Sequence, residues 1–125
     1  MHIKKFDLED RLIQFAVTIV KLTDEIPGSY SGHHLSNQLT RSGTAPALYY
    51  GEAQSAESRN DFIHKMKISL KELRETNINL KIIQKLNWLE QSSLTETIRE
   101  CNELIAIFVK CIQTSETNRQ LSKTK

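Results

Sequence analysis

The chain of 125 residues has the length of one domain, and its 26% charged and 38% hydrophobic residues are typical of a globular protein with a polar surface. A formal net charge of +2 is too small to indicate nucleic-acid binding by itself, so only clustered charge can argue for it. No apolar run is long enough to span a membrane or to form a signal peptide, so we expect a cytoplasmic protein.

The apolar residues recur with alternating steps of four and three, the spacing of one face of an amphipathic helix. Four such stripes follow each other, joined by short segments rich in turn residues: Leu8 to Ile26, Leu35 to Ala53, Phe62 to Ile83, and Leu94 to Ile112. Short connections favour antiparallel neighbours. We therefore predict an all-α protein, an antiparallel up-and-down four-helix bundle over residues 1–113. The polar, basic segment 114–125 is expected to be a disordered tail.

The second stripe contains residues that a helix interior tolerates poorly. Pro46 lies on the core stripe itself and predicts a kink or a break in the helix near that position. Gly43, Ala47 and Gly51 follow each other at steps of four and form a smooth face beside the stripe. One interpretation is a local irregularity inside a single bundle. The other is an oligomer interface at this face, formed by Gly43, Ala47, Tyr50 and Gly51.

The third stripe carries a cluster of basic residues. Segment 59–85 holds seven basic and three acidic residues, and five of the basic ones share a narrow arc of the predicted helix: Lys67, Lys71, Arg74, Lys81 and Lys85. Such a basic ridge attracts a phosphate backbone of RNA or DNA without reading its sequence. The alternative is a solvated face whose charge is offset by the four glutamates of segment 90–103.

The order of residues in segment 38–76 resembles that of the bacterial family named for 23S ribosomal RNA intervening-sequence proteins; the segment reads QLTRSGTAPALYYGEAQSAESRNDFIHKMKISLKELRET. The resemblance covers about residues 6–112. It implies an up-and-down four-helix bundle that assembles as a homopentamer, and some members are encoded inside segments that interrupt ribosomal RNA genes. It also implies kinship to the accessory protein of diversity-generating retroelements, which associates with reverse transcriptase and nucleic acid.

Three residues that match the family pattern are expected to lie at the surface or in an interface: Arg41, Glu52 and Arg59. Arg41 and Glu52 project away from the core stripe, and for Arg59 the surface position is implied by the resemblance. The chain departs from the pattern at Tyr49, where many members carry asparagine.

Catalytic and metal-binding patterns are weak in this sequence. Arg59 and His64 form the string R-N-x-x-x-H, which resembles the active-site motif of HEPN-type ribonucleases. Asp61 and His64 have the spacing of a di-iron pair, but no second pair occurs. We therefore predict no catalytic residues, no metal and no cofactor. The leading hypothesis is a non-catalytic oligomeric bundle, a homopentamer, that associates with RNA, DNA or a nucleic-acid enzyme. The alternatives are a HEPN-like ribonuclease and a scaffold subunit that binds only protein.

Overall fold

The computed structural model describes residues 4–123, with side chains from residue 8 onward, and confirms an all-α four-helix bundle. The helices are α1 (Lys4–Thr23), α2 (Tyr30–Gln54), α3 (Arg59–Leu86) and α4 (Gln91–Lys123). Each helix packs against the next in chain order, and α1 returns against α4 to close the bundle. The contact between α2 and α3 is the most extensive, and the contact between α1 and α4 is the slightest.

Local sequence sets the ends of the middle helices. The Ser58 side chain caps α3 by accepting a hydrogen bond of 3.0 Å from the Asp61 amide, as the spacing of these two residues suggests. Asn87 ends α3 in the left-handed conformation, with φ of 57°. At the start of α2, a Cβ on Gly32 would lie 1.7 Å from the Pro27 carbonyl oxygen, so only glycine fits there. These features fix the short turns that make the helices antiparallel.

The predicted core stripes form the core. All six members of the first stripe are buried, from Leu8 to Ile26, and Leu73, Leu80 and Phe108 are completely inaccessible. The alternating steps of four and three from Leu35 to Ala53 pass through Tyr49 and predict that it is buried. This prediction is wrong, because Tyr49 is only half-buried and Tyr50 takes the buried position. The Tyr50 ring meets the Phe108 ring edge-on at 6.1 Å between centroids. Tyr50, and not Tyr49, therefore packs against Phe108 in the core.

The sequence predicts a kink or a break near Pro46, and α2 runs through this residue without a break over its 25 residues. The Pro46 ring is buried, and its carbonyl accepts a hydrogen bond of 2.9 Å from the Ser69 hydroxyl of α3. Further along the same contact, the hydroxyls of Ser42 and Thr76 lie 2.9 Å apart. Small polar side chains thus bring α2 and α3 close together, and tertiary contacts hold the proline inside the helix.

The expected disordered tail is also corrected, because α4 continues as a helix to Lys123. Its last turns pair with the first turns of α3, where Glu116 lies 2.8 Å from the Lys67 ammonium. The Arg119 guanidinium also donates to the Asn60 amide oxygen at 3.0 Å. Polarity alone suggested disorder, but these contacts with α3 give the segment a helical partner. Residues 124 and 125 lie outside the described part of the chain.

Candidate interaction surfaces

The basic ridge of α3 is exposed at all five predicted positions, from Lys67 to Lys85. Lys67 is paired with Glu116 of α4. Among the residues that the structure describes, no carboxylate forms an ion pair with the other four: Lys71, Arg74, Lys81 and Lys85. A shallow groove of about 690 Å³ crosses the first half of the ridge and reaches Gln38 and Arg41 of α2.

Arg41 explains why the acidic residues of α3 leave the ridge uncompensated. Its guanidinium donates to Glu72 at 3.0 Å and to Glu75 at 3.1 Å. The hydrogen bond with Glu75, followed by the charge of Glu72, raises the pKa of Arg41 above its usual value. Because both carboxylates of this part of α3 are turned toward α2, they do not neutralise Lys71 or Arg74.

The two other residues that match the family pattern are also exposed and also join helices. The Glu52 carboxylate of α2 accepts a hydrogen bond of 2.6 Å from Lys65 of α3, and this bond raises the pKa of Lys65. The Arg59 guanidinium donates to the Ser122 hydroxyl of α4 at 3.4 Å. In the isolated chain these residues therefore connect neighbouring helices at the surface.

Two of the four residues predicted to form an oligomer interface lie inside the chain's own bundle. Gly43 is buried against α1, where a Cβ would approach two carbon atoms of Ile19 at 2.7 and 2.8 Å. Tyr50 is buried against Phe108, and this burial raises its pKa. The prediction is wrong for Gly43 and Tyr50. A helix does pack closely against the smooth face of α2, but at Gly43 this helix is α1 of the same chain.

The other two predicted interface residues, Ala47 and Gly51, are not enclosed: Ala47 is half-buried, and Gly51 is exposed with no atom within 4 Å of a Cβ built on it. Ala47 lines an apolar depression of about 410 Å³ between the outer faces of α1 and α2, which we call the α1–α2 groove. Its other lining residues are Ile13, Ala16, Val17, Val20, Lys21, Thr44 and Leu48. Leu48 is 69% exposed, so apolar surface here faces solvent.

A second apolar surface interrupts the basic face of α3. Ile78, Ile82 and Leu86, which we call the α3 strip, are 57%, 44% and 43% exposed. They follow each other at steps of four, so they share one side of the helix. Helical periodicity places them between the ridge and the side of α3 that contacts α2. The core periodicity does not predict this strip, although the steps of four between its residues are present in the sequence.

The two residues of the candidate catalytic pair, Arg59 and His64, are both exposed on α3. Arg59 is hydrogen-bonded to Ser122, and His64 lies about one and a half turns further along α3.

The buried thiol of Cys101 donates to the Leu73 carbonyl at 3.3 Å, and burial raises the pKa of Cys101 to about 11. Burial thus favours the protonated thiol over the reactive thiolate.

Neither a metal site nor a membrane span is found in the described residues. Between residues 4 and 123, no three His, Cys, Asp or Glu side chains come together as a metal ion would require. In the same part of the chain, no helix combines the length and the apolar composition that a membrane crossing needs.

The sequence profile of the family described as "23S rRNA-intervening sequence protein" matches residues 4–110, which includes nearly all of the bundle. The chain belongs to this family. A crystal structure from Bacteroides thetaiotaomicron VPI-5482, of a protein with unknown function from the S23 ribosomal protein family, superposes with a TM-score of 0.79 at 30% sequence identity. The match covers 84% of this chain and 97% of that one. No curated protein matches the chain.

Membership of the intervening-sequence family confirms the resemblance seen in the sequence. The matched range also divides the molecule into a part within the family profile and a part beyond it. The basic ridge, the α1–α2 groove and the α3 strip all lie within the matched residues 4–110. The last turns of α4, with Glu116 and Arg119, lie beyond them. The descriptions of the family and of the structural neighbour indicate no catalytic activity.

Proposed function

We propose that this member of the intervening-sequence family is a non-catalytic, self-associating bundle that binds the phosphate backbone of nucleic acid along α3. The observation that carries the proposal is the set of four exposed cations on that helix, Lys71, Arg74, Lys81 and Lys85, which form no ion pair with any carboxylate among the described residues. Clustered, unneutralised cations on one helix face are the electrostatic feature of backbone binding.

The dimensions of the ridge suit several phosphates. From Lys71 to Lys85 the helix rises by roughly 21 Å, a length over which one strand of a duplex carries about six phosphates. The ridge holds no aromatic side chain. Stacking on unpaired bases is therefore not expected, and the interaction should depend on charge and salt rather than on base sequence.

The test is fluorescence anisotropy with labelled duplex RNA, duplex DNA and single-stranded RNA at several salt concentrations. Four phosphate contacts predict that log K falls with log salt with a slope of about −3.6 on duplex DNA and about −2.8 on single strands. The variant Lys71→Glu/Lys81→Glu should bind at least tenfold more weakly than the variant Lys110→Glu/Lys123→Glu. Both variants change the net charge equally, and Lys110 and Lys123 are exposed on a different helix, α4.

Equal weakening of the two variants would show that only overall charge matters and would contradict a binding site on α3. Absence of binding by the unmodified chain at low salt would favour the scaffold hypothesis, in which the bundle binds only protein.

Self-association is supported by the apolar α1–α2 groove, because exposed apolar surface of this kind marks contact sites in soluble proteins. We propose a homopentamer, the assembly implied by the family resemblance. An oligomer repeats the ridge and so raises the effective concentration of each further contact on one nucleic acid. Light scattering after size-exclusion chromatography measures the assembly, and a mass of one 14.4 kDa chain at micromolar concentration would contradict it.

A further inference from the structure

Two exposed apolar surfaces lie on different sides of the bundle and differ in shape. We infer that the α3 strip of one copy docks in the α1–α2 groove of a second copy. This inference rests on the self-association proposed above, and it names the two surfaces that meet. The contact is heterologous, because each copy offers its strip to one neighbour and its groove to another.

The first support is the match of shape and length. The groove is a depression lined by apolar side chains of both helices, among them Ile13, Val20 and Leu48, and the strip is a row of three exposed side chains. Ile78 to Leu86 spans about 12 Å of helix, and Ile13 to Val20 spans about 11 Å. A row of apolar side chains at steps of four fits such a groove as one helix face fits between two others.

The second support is the match of charge around the two surfaces. The strip is flanked by exposed cations of the ridge, with Lys71 two turns before Ile78 and Lys85 between Ile82 and Leu86. Exposed acidic residues lie within about one helical turn of the groove residues along the chain: Glu9 and Asp10 on α1, and Asp24 directly after its end. Within the described residues these three form no ion pair, although Lys21 also lines the groove. Opposite charges around two apolar patches favour their association and orient it.

The arrangement of the helices lets one copy use both surfaces at once. α1 and α3 lie at opposite corners of the bundle and do not contact each other. A second copy on the groove therefore leaves the strip free for a third copy, and the repeated contact closes a ring if its rotation permits. Arg74 and Lys81 lie on the side of the strip that faces α4, so they remain at the rim of the contact and accessible to a phosphate backbone.

The experiment uses one variant of each surface, Leu48→Asp in the groove and Ile82→Asp in the strip. Both side chains are exposed, so circular dichroism should show an unchanged helical fold. Each variant alone should be monomeric, because every contact needs one strip and one groove. An equimolar mixture should form a 1:1 heterodimer of about 29 kDa, from two chains of 14.4 kDa, because one intact strip then meets one intact groove.

The control is Tyr30→Asp, which changes a 91% exposed side chain outside both surfaces and should leave the assembly intact. A second pair, Val17→Asp and Ile78→Asp, repeats the mixing test at other positions. If the unmodified chain assembles but the mixture stays monomeric, or if only one surface proves necessary, the pairing of strip with groove is wrong and self-association stands. If the unmodified chain is monomeric, self-association itself fails, and the pairing with it.

Discussion

Gly43 and Gly51 lie two turns apart on α2 and have opposite surroundings. Gly43 faces Ile19 of α1 so closely that any side chain would meet it, whereas the space around Gly51 is open. Neither glycine has a positive φ, so neither is required by its backbone conformation. At Gly43 the close approach of α1 leaves no room for a Cβ atom. At Gly51 no contact within the chain requires glycine.

The substitutions Gly43→Ala and Gly51→Ala should therefore change the stability in opposite directions. Gly43→Ala is expected to lower the free energy of unfolding by about 1–3 kcal/mol, because the methyl group overlaps Ile19. Gly51→Ala should raise it by about 0.5–1 kcal/mol, because alanine loses less backbone entropy in a helix. Urea denaturation at matched protein concentration measures both. A stabilising Gly43→Ala would contradict the close packing of α1 on α2.

At the scale of elements, α4 is the helix whose length the sequence pattern underestimates. Its core positions end at Ile112, and the following turns contribute polar contacts to α3 instead of apolar burial. The Lys67 ammonium donates to Glu116 and lowers the pKa of that carboxyl, with a smaller contribution from the charge of Arg119. The end of α4 thus depends on charge in a way that its core-facing part does not.

The helical end of α4 should be visible by NMR as helical 13Cα shifts for residues 114–120. Glu116→Gln removes the charge that holds Lys67 and Arg119, so these shifts should move toward random-coil values while those of residues 94–112 stay unchanged. High salt should weaken the contact in the same way, because exposed charges are screened. Random-coil shifts in the unmodified chain would show that the segment is a disordered tail after all.

At the scale of the whole molecule, the bundle is closed unevenly. α1 contacts α2 extensively and α4 only slightly. Arg11 spans this seam, donating to both oxygens of Glu100 at 2.7 and 3.0 Å and to Glu103 at 3.1 Å. The hydrogen bond with Glu100 raises the pKa of Arg11 above its usual value. Few other contacts hold the two helices together, so α1 should separate from the bundle more easily than α3.

Hydrogen exchange should show this difference directly. In Arg11→Ala the amides of α1 should exchange faster, with those of α3 unchanged, while the free energy of unfolding falls by less than about 1 kcal/mol because the pair is partly exposed. Arg99→Ala is the matched control, since Arg99 pairs with Glu96 inside α4 and bridges no helices. Equal exchange changes in α1 and α3 would indicate a single cooperative unit without a weak seam.

The periodicity of the apolar residues determines the number of helices, their antiparallel order and most of the core, because burial of one face per helix dominates the stability of such a bundle. Ile78, Ile82 and Leu86 also recur at helical spacing, at steps of four. The sequence alone does not show whether such an apolar row is exposed or buried. Only the placement of α2 and α4 around α3 leaves that row at the surface.

The basic ridge is likewise a property of the sequence, because five cations on one helical arc follow from spacing alone. Tertiary structure decides which of them stay unpaired. Glu72 and Glu75 are close to the ridge in sequence, yet they face Arg41 of α2, and Glu116 reaches Lys67 from 49 positions away in the chain. Likewise, the small residues in α2 indicate that another helix packs closely against it, but they do not show which helix this is. The fold assigns Gly43 to α1 and leaves Gly51 open, because helix-to-helix distances are set by the packing of the whole bundle and not by any one helix.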